Sequence, residues 1–134
     1  MRAGVIDVQK RSRSGATDLK RLRSHSWGDV ATDRIPSGGL TGGEVLKRCL
    51  LQENVRYVFG VPGDQLYPLL DAIHNDDRIQ FVTMRHEAAA AHAADAWARV
   101  TGEPGVCLGT VGPGAANLVG GVYPAFADSI PMIV

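Results

Sequence analysis

The sequence is poor in several features that mark large classes of protein. Its 134 residues include two cysteines, aromatic residues make up 6%, and 14 basic residues balance 14 acidic ones. No stretch approaches the roughly 20 apolar residues of a membrane-spanning helix. The absence of net charge gives no reason to expect a nucleic-acid partner. We therefore expect no membrane and no nucleic-acid partner and, because no apolar leader follows Met1, a cytoplasmic location.

The two cysteines fall in different patterns. Cys49 lies in a helical pattern, and Cys107 lies in an apolar, strand-like run. A free cysteine usually behaves as a small buried hydrophobic residue, and nothing else in the sequence indicates secretion. We predict that both are buried, reduced thiols.

The balance of charge hides a difference between two parts of the chain. Residues 1–38 carry eight basic and four acidic residues, whereas residues 39–134 carry six basic and ten acidic ones. The first part has no sustained hydrophobic period, so we interpret residues 1–38 as a disordered basic tail or a non-native extension. Its four aspartates count against an organelle transit peptide. The part able to form a core is then residues 39–134.

From residue 40 onward, helical and strand patterns alternate. Helices are predicted over residues 41–53, 66–73, 87–100 and 113–126, and strands over residues 55–59, 79–84, 106–111 and 131–134. Alternating strands and helices predict an α/β fold, a parallel β-sheet flanked by helices. Because the sequence stops within the fourth strand, we expect residues 39–134 to be an incomplete, truncated domain.

The first helix has the clearest local signals. Thr41 is a predicted N-cap, with Glu44 completing a capping box. Its apolar face is predicted to be Val45, Leu46, Cys49 and Leu50.

Ligands of parallel sheets bind at the carboxyl ends of the strands. Those ends are predicted at residues 60–63, 85–87 and 112–114, on one edge of the sheet. Glu87 stands there at the start of an alanine-rich helix, where burial raises the pKa of a carboxyl and the helix N-terminus lowers it. An acidic residue at this position is also explained simply by the helix N-terminus, which favours negative charge whether or not a ligand binds.

Two other patterns near this edge carry weaker signals. His86 and His92 are six residues apart, not the four of the zinc-protease motif, so we predict no metal site and two hydrogen-bonded helix residues. The run GPGAAN at residues 112–117 is similar to the dinucleotide fingerprint GxGxxG, but Met132 stands where an acid is expected. A Rossmann-like nucleotide-binding module therefore stays open as an alternative.

Three segments taken together resemble one family. They are VFGVPG at residues 58–63, RHE at residues 85–87 with its alanine-rich helix, and TVGPGAAN at residues 110–117 followed by ADSIP at residues 127–131. In this order they resemble the N-terminal pyrimidine-binding domain of thiamine diphosphate-dependent enzymes, closest to the acetolactate synthase-like group.

The resemblance implies a role for each matching residue. The glutamate at the place of Glu87 is catalytic in the family: it hydrogen-bonds the pyrimidine ring of the cofactor and promotes proton removal from the thiazolium. An apolar setting helps such a glutamate to hold its proton tightly. The residues implied to bind the cofactor are Pro62, Gly63, Glu87, Gly112, Gly114 and Asn117.

The resemblance also implies what lies outside this sequence. The family binds Mg²⁺ and the diphosphate through a Gly-Asp-Gly motif on another domain, and this chain has no such motif. We expect a fragment of a lyase or transferase that acts on 2-oxo acids by decarboxylation or carboligation and is inactive alone. Its implied partner is a diphosphate-binding domain, on the same polypeptide or another subunit, within a homodimer or tetramer. A non-catalytic assembly subunit is a further alternative.

Overall fold

The computed structural model describes residues 37–134. Their helices are α1 (Gly42–Gln52), α2 (Tyr67–His74), α3 (Glu87–Thr101) and α4 (Pro113–Ala127), with a one-turn 3-10 helix at Asp64–Leu66. Their strands are β1 (Tyr57–Gly60), β2 (Gln80–Thr83), β3 (Gly105–Leu108) and β4 (Met132–Ile133). The predicted tail, residues 1–38, lies almost wholly outside the described residues and stays a prediction.

The four strands form one parallel sheet in the order β2-β1-β3-β4. The predicted α/β fold, a parallel sheet flanked by helices, is confirmed. Because parallel crossovers are right-handed, α2 covers one face of the sheet, and α3 and α4 cover the other. From β1 the chain crosses to β2 on one side of the sheet, and from β3 it crosses to β4 on the other side. The loops after the neighbouring strands β1 and β3 therefore lead in opposite directions. Ligands of open parallel sheets bind at such a point.

The start of α1 matches its sequence signal, but its buried face does not. The hydroxyl of Thr41 accepts a hydrogen bond from the Glu44 backbone N–H at 3.2 Å, which confirms the N-cap. The Glu44 carboxylate contacts the Lys47 ammonium at 3.1 Å. The predicted apolar face is wrong in large part, because Val45 and Leu46 are exposed and the buried residues of α1 are Gly43, Lys47, Leu50 and Leu51.

A rotation of α1 explains this difference. Gly43 lies directly against the α2 backbone, where an added Cβ would meet the Pro68 carbonyl. That approach turns the face with Lys47 and Leu50 inward, so Cys49 is exposed and its predicted burial is wrong. Cys107 is fully buried in β3 as predicted, and both thiols are free.

The sheet packs against α3 through alanine. Ala90, Ala91 and Ala94 are fully buried and form a core cluster with Cys107 and Leu118. Small side chains allow close approach, and at Gly121 of α4 an added Cβ would lie 2.6 Å from the Ala91 Cβ. The two helices that reach the candidate site are thus fixed to each other at short distance. No helix within residues 37–134 is long and apolar enough to cross a membrane.

Candidate functional site

Glu87 is the first residue of α3 and follows the short turn after β2. His86 is the N-cap: its backbone is extended, and its Nδ1 accepts a hydrogen bond from the Ala88 backbone N–H at 3.1 Å. The prediction of a hydrogen-bonded histidine is confirmed for His86, while His92 is exposed. Glu87 itself is 9% exposed. The cap thus fixes the backbone from which a mostly buried carboxylate projects.

The Glu87 carboxylate meets two residues of α4. Asn117 donates a hydrogen bond from Nδ2 to Oε2 at 3.0 Å. At Gly114 an added Cβ would lie 3.2 Å from Oε1 and 3.1 Å from Cγ2 of Thr110. The structure therefore brings together three of the predicted site residues, and Gly114 lies so close to the second oxygen that even a methyl group there would be crowded.

These surroundings favour the ionised carboxylate. The hydrogen bond from Asn117 lowers the pKa of Glu87 most, and the Glu87 backbone N–H and the nearby His86 lower it further. Desolvation among the alanines opposes them and is weaker. In this domain the hydrogen-bond donors act on the carboxyl more strongly than desolvation does, so the pKa of Glu87 lies below its ordinary value.

The loop after β1 lies against the loop after β3. An added Cβ at Gly63 would lie 2.6 Å from the Thr110 Cβ, and the Thr110 hydroxyl donates a hydrogen bond to the Gln65 side-chain oxygen. Pro62 is exposed beside Gly63. Thr110 and Gln65 are not among the predicted site residues, although each stands two residues from a predicted site glycine. The hydrogen bond between Thr110 and Gln65 thus joins the loop after β1 to the loop after β3.

Gly112 forms the N-cap of α4 without a side-chain hydrogen bond. Its φ of 72° and ψ of −117° are a conformation that glycine adopts readily and that L side chains rarely adopt. The predicted role in shaping the turn agrees with this geometry. Cofactor binding by Gly112, as by Pro62 and Gly63, stays a prediction. Within the described residues no group of three or more His, Cys, Asp or Glu could hold a metal ion.

Comparison with known proteins identifies the fold family. The family model described as "Thiamine pyrophosphate enzyme, N-terminal TPP binding domain" matches residues 40–134. The mitochondrial acetolactate synthase catalytic subunit of Saccharomyces cerevisiae is 50% identical over 115 residues, which are 86% of this chain and 16% of that protein. A probable acetolactate synthase large subunit of Methanococcus aeolicus is 52% identical over 94 residues, 70% of this chain and 16% of that protein.

A bacterial relative gives the same result. Acetolactate synthase isozyme 3 large subunit of Escherichia coli is 47% identical over 95 residues, 71% of this chain and 17% of that protein. The chain therefore spans only about a sixth of the length of these relatives. With the parallel sheet and the family match together, the chain belongs to the thiamine pyrophosphate enzymes and carries their N-terminal TPP-binding domain.

Proposed function

We propose that this chain supplies the pyrimidine-binding half of a thiamine diphosphate site, with Glu87 as its catalytic residue. The observation that carries this proposal is the Glu87 carboxylate, which is mostly buried at the ligand edge of the sheet. One of its oxygens accepts a hydrogen bond from Asn117, and the other lies close to Gly114. A carboxylate held this way can form a hydrogen bond with a ring nitrogen of a ligand and exchange a proton with it.

The remaining implied residues would form the wall of that half-site. Gly63 and Gly114 both lie against the Thr110 side chain, where a side chain of their own would be crowded, and Gly112 sets the turn that leads into α4. When bound, thiamine diphosphate supplies an electron sink for reactions at the carbonyl of a 2-oxo acid. Glu87 would hydrogen-bond a nitrogen of the bound pyrimidine ring.

The parent reaction is proposed from the relatives. Those named above are acetolactate synthases, so we propose decarboxylation of, or carboligation from, a 2-oxo acid in the acetolactate synthase manner. Mg²⁺ and the diphosphate would be bound by a diphosphate-binding domain that these residues do not include. A cytoplasmic location, and inactivity of the chain without that domain, stay predictions.

The surface of α4 supports a partner of this kind. Val119, Tyr123 and Phe126 are spaced along one side of the helix and are 67%, 68% and 80% exposed. Large apolar side chains exposed in a row mark a surface that other protein covers. We propose that a diphosphate-binding domain and a second copy within a homodimer or tetramer are the proteins packed around this domain.

A chimeric enzyme tests the proposal. Residues 40–134 of this chain replace the matching segment of the S. cerevisiae catalytic subunit, and acetolactate formation from pyruvate is measured with thiamine diphosphate and Mg²⁺. We expect an active chimera whose kcat falls about 100-fold or more on Glu87→Gln, because a general acid–base group is lost. Glu53→Gln, an exposed carboxylate that ends α1, is the matched control and keeps full activity.

Other outcomes favour the alternatives. Unchanged activity of the Glu87→Gln chimera would contradict the catalytic assignment and favour an assembly role. Tight binding of NAD or FAD by the chain, without binding of thiamine diphosphate, would favour a nucleotide-binding module. The isolated chain is expected to consume no pyruvate with cofactor and Mg²⁺ present, and measurable turnover would contradict that expectation.

A further inference from the structure

Thr110 lies between the two loops that meet at the ligand edge of the sheet. It stands in the loop after β3, and its side chain is partly buried. On one side is Gly63 of the loop after β1, where an added Cβ would lie 2.6 Å from the Thr110 Cβ and 2.8 Å from its Oγ1. On the other side is Gly114 of α4, where an added Cβ would lie 3.1 Å from the Thr110 Cγ2. One side chain therefore fills the gap between two backbones.

The two branches of the Thr110 side chain have different partners. The hydroxyl donates a hydrogen bond to Oε1 of Gln65, and the methyl group is the part that lies nearest Gly114. A β-branched side chain is stiff about χ1, so a methyl group held beside Gly114 fixes the direction of the hydroxyl. The hydroxyl then holds Gln65, which stands two residues after Gly63 in the other loop.

The loop after β1 lies at the surface. Pro62, Asp64 and Gln65 are exposed, and the Leu66 N–H donates a hydrogen bond to the Gly63 carbonyl at 2.9 Å, which closes the 3-10 turn. Exposed turns with few buried apolar contacts open easily. The hydrogen bond from Thr110, 45 residues away in the sequence, therefore ties an otherwise weakly supported turn to the rest of the domain.

We propose that Thr110 is a positioning residue that holds the loop after β1 at a fixed distance from α4, through Gln65 and against Gly63. Both sides of the ligand site are then in place before thiamine diphosphate binds, which lowers the cost of ordering them on binding. This role rests on the proposed function, since it takes the two loops as walls of that site. Thr110 acts through its neighbours and needs no contact with the ligand.

The first test uses the full chain without cofactor and follows amide hydrogen exchange of Leu66 by NMR. Thr110→Val keeps the shape of the side chain and loses only the hydroxyl, so we expect exchange about 2–10-fold faster, the effect of one lost hydrogen bond. Thr110→Ser keeps the hydroxyl without the methyl group, and its exchange is expected to fall between those of valine and wild type. Thr83→Val changes an exposed threonine of β2 and is the control that leaves Leu66 unaffected.

A double-mutant cycle with Gln65→Met isolates the contact between the two side chains. Because Thr110 acts through Gln65, Thr110→Val and Gln65→Met together are expected to speed exchange of Leu66 no more than either change alone. Carboxyl-carbon NMR of Glu87 is the check on folding. The pKa of Glu87 is expected to stay below its ordinary value in every variant, because Asn117 still donates to the carboxylate.

The second test adds thiamine diphosphate to the full chain, up to millimolar concentration, and follows the amide signal of Gly63. The apparent affinity of a ligand falls with the fraction of protein that is ready to bind it. We therefore expect Thr110→Val to bind about 2–10-fold more weakly than the wild type, with Thr110→Ser in between.

The outcomes separate this role from the proposed function. Wild-type exchange of Leu66 in Thr110→Val, or additive effects of Thr110→Val and Gln65→Met, would overturn the positioning role. Faster exchange with unchanged affinity for thiamine diphosphate would overturn it too, because the contact would then be structural only. If thiamine diphosphate changes no signal of the wild type while the exchange effects appear, the proposed function is contradicted and the contact of Thr110 with the loop remains established.

Discussion

The close contact between α3 and α4 at Gly121 predicts opposite effects for two neighbouring substitutions. In Gly121→Ala the added Cβ would lie 2.6 Å from the Ala91 Cβ and 2.7 Å from the Ala88 carbonyl oxygen. Carbon atoms in good contact are about 3.5–4.0 Å apart, so the helices must separate by about 1 Å. Overpacking of this kind costs about 1–3 kcal/mol of unfolding free energy.

The adjacent residue is the control. Gly120 lies in the same helix, and an added Cβ there meets nothing within 4 Å. Gly120→Ala is therefore expected to stabilise the chain by about 0.5–1 kcal/mol, because alanine restricts the unfolded backbone and favours helix. Since Gly121→Ala gains the same contribution from helix propensity, its net effect is a loss of up to about 2.5 kcal/mol of unfolding free energy.

Urea denaturation followed by circular dichroism measures both variants. The two are expected to differ by about 1–3 kcal/mol, because the helix gain is common to both. Gly121→Ala is also expected to raise the pKa of Glu87, because separated helices lengthen the hydrogen bond from Asn117. Equal stability of the two variants would refute the reasoning, because it would show that α3 and α4 are not in direct contact at Gly121.

Two further predictions concern ionisable groups. Arg78, at 2.6 Å, and Lys47, at 3.4 Å, hold the Asp76 carboxylate and lower its pKa from 3.8 to about 2. Asp76→Asn should therefore cost about 1–2 kcal/mol at pH 7, after allowance for the exposed Arg78. Because the folded-state pKa is depressed, this difference should disappear as pH falls from 3.8 to about 2 in pH-dependent denaturation, and a constant difference would contradict it. For the thiols, burial raises the pKa of Cys107 to about 11, so a thiol reagent should label only exposed Cys49 in the native chain. Rapid native labelling of Cys49→Ser would contradict that expectation.

Local chemistry explains which elements the sequence predicted well. The four α-helices and four strands of residues 37–134 lie where alternating patterns predicted them, because caps, alanine content and glycine turns act over a few residues. Strand β3 is shorter than predicted, Gly105–Leu108 instead of residues 106–111. Residues 109–111 are apolar or small, yet the chain turns away there toward the Gly112 cap.

The members of the site could be predicted from the sequence, but the direction of the Glu87 pKa came only from the structure. Glu87, Gly114 and Asn117 could be named from the sequence, because strand ends and helix starts of a parallel sheet meet at one edge. The partners Thr110 and Gln65 could not, since their contact joins loops 45 residues apart. The direction of the Glu87 pKa depended on which donor reaches the carboxylate, and no spacing rule gives that distance.

The order of helices and strands, the parallel sheet and the edge at which Glu87 stands could be predicted from the residues, because periodicity and capping are local properties. Which face of α1 is buried, with Cys49 outside and Lys47 inside, came from tertiary packing. The same is true of the contacts of the Glu87 carboxylate with Asn117 and Gly114. Both outcomes depend on how closely two helices approach, and that distance is set by packing between residues far apart in the chain.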